Sequence, residues 1–203
     1  MASRTTDLHL AQDAAADALI TGDPLALLIG MLLDQQVPME WAFGAPKVLA
    51  DRLGADRLDA AAIADFEPEA FAELAARKPA IHRYPGSMAK RVQQLCAHLV
   101  QEYDGDATAV WRDAGSGAEL MRRLTALPGF GKNKAQIFLA LLGKQLGVRP
   151  EGWRAAAGPY GEDGARRSVA DIRDDTTLAE VREYKQQQKD AAKAAKGKAT
   201  AAG

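Results

Sequence analysis

The stretch of this chain best suited to chemistry is Leu127-Pro128-Gly129-Phe130-Gly131-Lys132-Asn133-Lys134-Ala135, which leads directly into the apolar run Gln136 to Leu146. Glycine adopts backbone conformations closed to other residues and lets main-chain N–H groups come close to a ligand. At the start of a helix those N–H groups sit at the positive end of the macrodipole, which suits an anion such as a phosphate. Leu127, Gly129, Phe130, Gly131, Lys132 and Lys134 are therefore a candidate grip on a DNA backbone. The alternative is a helix-turn-helix corner in which the glycines relieve strain and Leu127 and Phe130 fill core.

Other chemistry-bearing side chains are sparse. Cys96 is the only cysteine among 203 residues, so the chain holds neither an internal disulfide nor a four-cysteine zinc or iron–sulfur site. Beside Leu95 and Leu99 it reads as a small core residue. His9, His82 and His98 lack metal-ligand spacing and read as surface or cap residues, so no metal site is expected. Trp41, Phe43, Trp153 and Tyr160 are the aromatics able to line a pocket, or equally to pack as core and loop anchors.

The elements that must position these residues are helical. Alanine is abundant, aromatic residues make up 6% of the chain, and no segment alternates with period two over a useful length. Helices are expected over Asp7 to Ile20, over Pro24 to Gln35 behind the Asp23-Pro24 start signal, and over Pro38 to Leu53 with a kink or break near Gly44 to Pro46. Leu58 to Phe66, Pro68 to Ala76 and an amphipathic stretch from Met88 to Tyr103 follow. A short element at Ala109 to Trp111 precedes Ala118 to Leu124, which leads into the bend. The Pro24 helix, apolar on most faces, should be the buried centre. Val148 to Arg167 is rich in glycine and proline and reads as loop. Leu178 to Ala195 reads as a charged helix capped by Thr176 or Thr177, with a fraying lysine-alanine end.

Three regions result: a helical body over 1–147, an irregular loop over 148–177 and a charged helix with lysine-rich tail over 178–203. The formal net charge of −1 lacks the strongly basic profile of many nucleic-acid binders. Charge is uneven, however, because Lys185, Lys189, Lys193, Lys196 and Lys198 stand against Asp190 alone from Tyr184 onward. Met1 to Asp7 lacks the pattern of a signal peptide, and Leu25 to Leu33 is too short to span a bilayer, so a cytoplasmic protein away from membranes is expected.

The motif Leu127-Pro128-Gly129-Phe130-Gly131 followed by Ala135 resembles the hairpin of the helix-hairpin-helix (HhH-GPD) superfamily of base-excision DNA glycosylases. Leu32-Leu33-Asp34-Gln35-Gln36 is similar to the helix end whose glutamines reach DNA in that family, and Tyr84-Pro85-Gly86-Ser87-Met88-Ala89-Lys90-Arg91 to its tyrosine-to-lysine turn. The likeness covers Pro24 to Gly147. It implies an all-α, HhH-GPD-like fold, double-stranded DNA as partner, Gln35 and Gln36 filling the gap left by an extruded base, and a monovalent cation at hairpin carbonyls.

The chain departs from that family where the chemistry lies. The position of the lyase lysine, two residues after the second hairpin glycine, holds Asn133, and an amide cannot form a Schiff base with a sugar. Lys132 and Lys134 project about 100° to either side and suit phosphate contact or solvent. The implied enzyme is monofunctional, with water as nucleophile and a carboxylate supporting an oxocarbenium-like transition state. No aspartate occupies the expected place after the hairpin helix. Either Asp171 supplies the carboxylate, within Ser168-Val169-Ala170-Asp171, or Glu151 does. The preferred expectation is a monomeric glycosylase with Asp171 as its acid, and the competing one is a catalytically silent DNA-binding or lesion-sensing protein. A purely structural bend would leave a helical interaction domain.

Overall fold

The computed structural model describes residues 7–201 and is all-α. No strand occurs among the described residues, and the one bridge pairs Ser116 with Glu151. Among the described residues ten α-helices run in order: α1 (Ala14–Gly22), α2 (Pro24–Leu33), α3 (Met39–Leu53), α4 (Ala60–Ala64), α5 (Pro68–Ala76), α6 (Pro85–Tyr103), α7 (Gly117–Ala126), α8 (Lys132–Gln145), α9 (Trp153–Ala156) and α10 (Asp175–Ala201). Among the described residues no single helix is long and apolar enough to cross a membrane.

α2 is the buried centre, as its composition predicts. Asp23 caps it by accepting from the N–H groups of Leu25 and Ala26, and its second oxygen accepts from Leu58 N at 2.8 Å, tying the start of α2 to the approach to α4. Every residue from Leu25 to Leu33 is buried. Gly30 lets α3 come close, since a Cβ there would stand 2.7 Å from the ring of Phe43. α1 packs on α2 and α3, α4 and α5 cover α6, and α7 packs on α8.

Several expected boundaries differ, each for a physical reason. Residues 7–13 do not join α1, because the buried Asp17 carboxylate accepts from Leu10 N and Ala11 N and holds that segment as a loop, leaving Asp13 as the cap. α3 runs unbroken through Pro46. α6 begins three residues early, with Pro85 in its first turn where the missing N–H costs nothing. α10 is capped by Asp174, whose Oδ1 accepts from Thr177 N, rather than by a threonine, and it stays helical to Ala201. Residues 1–6 and the side chains of Lys196 and Lys198 lie outside what is described.

The Pro/Gly-rich loop is more ordered than its composition predicts. Trp153 is buried on Gly143 of α8, where a Cβ would come within 2.4 Å of its ring, so this close approach requires glycine. α9 thereby bridges α7 and α8, and the short 3-10 turn Val169–Asp171 packs on α8.

Candidate functional site

α7 and α8 meet at the bend. Leu127 and Phe130 are its buried anchors: Phe130 N donates to Leu127 O at 3.0 Å, and the Phe130 ring meets Phe138 edge-on with centroids 5.9 Å apart. Both side chains face the core, as in the alternative of a corner whose Leu127 and Phe130 fill core, so neither offers its side chain to a strand. Gly129, Gly131, Lys132 and Asn133 are exposed.

The two glycines serve different ends. Gly129 has φ +83°, and a Cβ on it would lie 2.4 Å from Leu32 Cδ1 in the last turn of α2. Backbone conformation and space therefore both require glycine there. Gly131 has φ −71° and open space where a Cβ would go, so nothing inside the fold demands a glycine. Its bareness leaves room for something outside the chain.

The main chain at this end of α8 is unsatisfied. Gly131 caps α8 without a side-chain hydrogen bond, and Ala135 N to Gly131 O, at 3.0 Å, is the first rung of the ladder. Among the described residues the N–H groups of Gly129, Gly131, Lys132, Asn133 and Lys134 have no acceptor in the protein. Asn133 takes part through its side chain, accepting from the Tyr160 hydroxyl at 2.8 Å, so the loop over 148–177 fastens onto the hairpin helix.

Lys134 corrects another expectation. It does not reach for phosphate or solvent, because its Nζ donates to Met31 O and Leu32 O, both at 2.7 Å, and ties the start of α8 to the end of α2. A cation on those last carbonyls complements the negative pole of α2. Burial lowers its pKa to about 8, with Asp34 opposing the shift and Arg91 adding to it.

Beyond α2 the glutamines separate. Gln35 is half-buried, with Nε2 donating to Leu32 O and directed at Met88 Sδ, both at 3.3 Å. Gln36 is exposed, with φ +59°, a left-handed conformation uncommon for a side-chain-bearing residue. His82, expected at the surface or as a cap, is buried beneath this turn: Tyr84 N donates to Nδ1 at 3.0 Å, and Nε2 donates to Gln35 O at 2.9 Å. That pattern requires the neutral Nε2–H tautomer. Tyr84 and Lys90 are exposed, and Trp41 is exposed with its indole N–H on Ala80 O.

The expected carboxylates lie elsewhere. Asp171 is 5% exposed; one oxygen meets Lys144 Nζ at 2.6 Å and the other accepts from Arg167 N and Ser168 N, completing a capping box. Lys144 is 12 residues beyond Lys132, about 18 Å along α8 at the helical rise. Glu151 is exposed beside the start of α7, where its carbonyl accepts from Gly117 N at 2.7 Å. Neither joins the bend, and Asp171 in particular is fully engaged in holding the fold. Phe43 and Trp153 are core rather than pocket wall, and burial together with the Asp59 charge pushes the Cys96 thiol up to about 12.

Asp34 is half-buried at the C-terminal cap of α2, immediately after the turn that Lys134 and Gly129 contact. Burial raises its pKa, Lys185 and Lys134 draw it back down, and Glu40 adds to the rise. Asp34 falls within the segment Leu32 to Gln36, where the sequence expectation rests on the two glutamines and not on the acid. The signal that could have found it is an acid at the end of a helix, where the macrodipole disfavours it. Comparison of the chain with protein-family models, with curated proteins and with solved structures gives no match.

Proposed function

We propose that this chain is a monofunctional DNA N-glycosylase of the helix-hairpin-helix type, a cytoplasmic monomer that hydrolyses the glycosidic bond of a damaged or mispaired base. The observation that carries the reading is the exposed bend at Gly129 and Gly131, whose amides and those of the first turn of α8 have no protein acceptor. Donors left open at a helix N-terminus, with Lys132 exposed beside them, suit the phosphates of a DNA strand. Gln36, held outward at the end of α2, suits the space vacated by an extruded base.

A cation at the bend belongs to the same proposal. The carbonyls of Pro128 and Gly129 accept no hydrogen bond from the protein among the described residues, so oxygen donors of the right chemistry are present. Asn133 argues for hydrolysis rather than strand cleavage, because its amide, held by Tyr160, offers no amine to the sugar.

A second reading, a silent lesion-binding protein, is favoured by the engagement of Asp171 with Lys144. Duplexes carrying alkylated, oxidised, deaminated or mismatched bases separate the two. The glycosylase leaves abasic sites that break only in hot alkali, whereas the silent binder retains such duplexes and releases no base. Breaks without alkali would contradict hydrolysis, and no affinity for any duplex would remove both readings.

A further inference from the structure

We infer that Asp34 is the catalytic carboxylate of this site, an assignment that rests on the glycosylase reading and replaces Asp171 within it. Among the described residues no donor lies within hydrogen-bonding distance of the Asp34 side chain, and no cation lies within ion-pair distance. Other half-buried or buried acids of the fold have evident work. Asp17 holds the 7–13 loop, Asp23 caps α2, Asp106 caps the turn Ala107–Val110, and Asp171 pairs with Lys144. Asp34 caps no helix N-terminus and closes no pair.

Its placement is unfavourable on its own terms. A carboxylate at the C-terminal pole of a helix is repelled by that dipole, and partial burial removes part of its hydration. An acid kept where the local rules oppose it, with no structural partner in return, marks a functional position. The burial that raises its pKa also makes it a stronger proton acceptor than an exposed aspartate.

The position fits the reaction. The bend seats on the turn just before Asp34, through Gly129 against Leu32 and through Lys134 on Met31 O and Leu32 O. Gln36 projects two residues beyond it. A strand held at the bend therefore runs beside the acid, and a base extruded at Gln36 leaves its sugar there. The C1′–N bond breaks with its electron pair going to the base, whose nitrogen takes a proton from solvent. Asp34 offsets the positive charge on the sugar and accepts the proton of the water whose oxygen bonds to C1′.

The test uses duplexes that carry a cationic pyrrolidine in place of the target deoxyribose, with the neutral tetrahydrofuran abasic analogue as reference. The wild-type chain should prefer the cation by about tenfold or more, as expected for a mimic of the charged transition state. Asp34→Asn should lose that preference while holding the tetrahydrofuran duplex, Asp34→Glu should restore part of it, and Glu151→Gln should leave it unchanged. On a released lesion, Asp34→Asn should slow hydrolysis by about a hundredfold. Binding to both duplexes with no preference, or a preference that survives Asp34→Asn, overturns the assignment and leaves DNA binding standing. Base release at an undiminished rate in Asp34→Asn overturns it and leaves the glycosylase reading intact. Failure of the wild-type chain to bind any duplex overturns both together.

Discussion

The two ends of α8 carry similar residue types and have opposite fates. At its start, Lys132 and a row of main-chain N–H groups are exposed without acceptors. Toward its end, Lys144 meets Asp171, Asp171 meets two further N–H groups, and Gln145 donates to the carbonyls of Val169, Ala170 and Ile172. Folded chains pair nearly all of their buried polar groups, so the closed end is what a structural junction looks like. The open end leaves its donors to solvent or to a molecule outside the chain. Lysine, aspartate and glycine near a helix terminus therefore say little until their partners are known.

Breaking the closed end should have the largest effect. Asp171→Asn strands a buried Lys144 and should cost about 3–5 kcal/mol, read as a lower denaturation midpoint. Duplex affinity of the molecules that remain folded should be unchanged. A folded, fully stable Asp171→Asn that has lost base release would return the acid to that end. Next comes Gly129→Ala, which meets both a positive φ and Leu32 and should destabilise by about 1–3 kcal/mol in the same assay.

Lys134→Met sharpens the comparison through pH. The native state holds the Lys134 proton less tightly than the unfolded chain, whose lysine titrates near 10.5, against about 8 when folded. Between those values the unfolded chain binds more protons, so this group makes stability rise with pH across that window. Cys96 acts oppositely: its thiol stays protonated in the fold while the unfolded thiol ionises near 9, so its contribution falls above that pH. The difference between wild type and Lys134→Met, followed by denaturant midpoint from pH 7 to 11, isolates the lysine and should grow with alkalinity. A flat difference would show the amine to be unperturbed.

The smallest change in stability is expected at Gly131→Ala, within about 0.5 kcal/mol, since its φ is ordinary and its surroundings are open. Its duplex affinity should nonetheless fall for all sequences alike, because phosphate contacts carry no base information. Unchanged affinity would mean that the open end serves no strand.

Local signals carried the reading of the fold a long way. The Asp23-Pro24 start, the all-apolar α2, the amphipathic face of α6 and the bend between α7 and α8 each depend on neighbours a few residues away, and each is where sequence placed it. What escaped depends on distant partners. His82 meets Gln35, Lys134 meets Met31 and Leu32, and Asp171 meets Lys144, all across separations that periodicity cannot see. For that reason the open bend was legible, whereas the engagement of Asp171, the inward turn of Gln35 and the isolation of Asp34 were not.

The brace between Lys134 and the two carbonyls of α2 has one more consequence. A neutral amine retains two hydrogens, as many as the carbonyls it meets. Mildly alkaline solution can thus strip the positive charge from the crosspiece without unfastening it. The joint between the two segments then survives as a mechanical link while the acid beside it loses a nearby counter-charge, so rigidity and electrostatics at this corner can be varied separately.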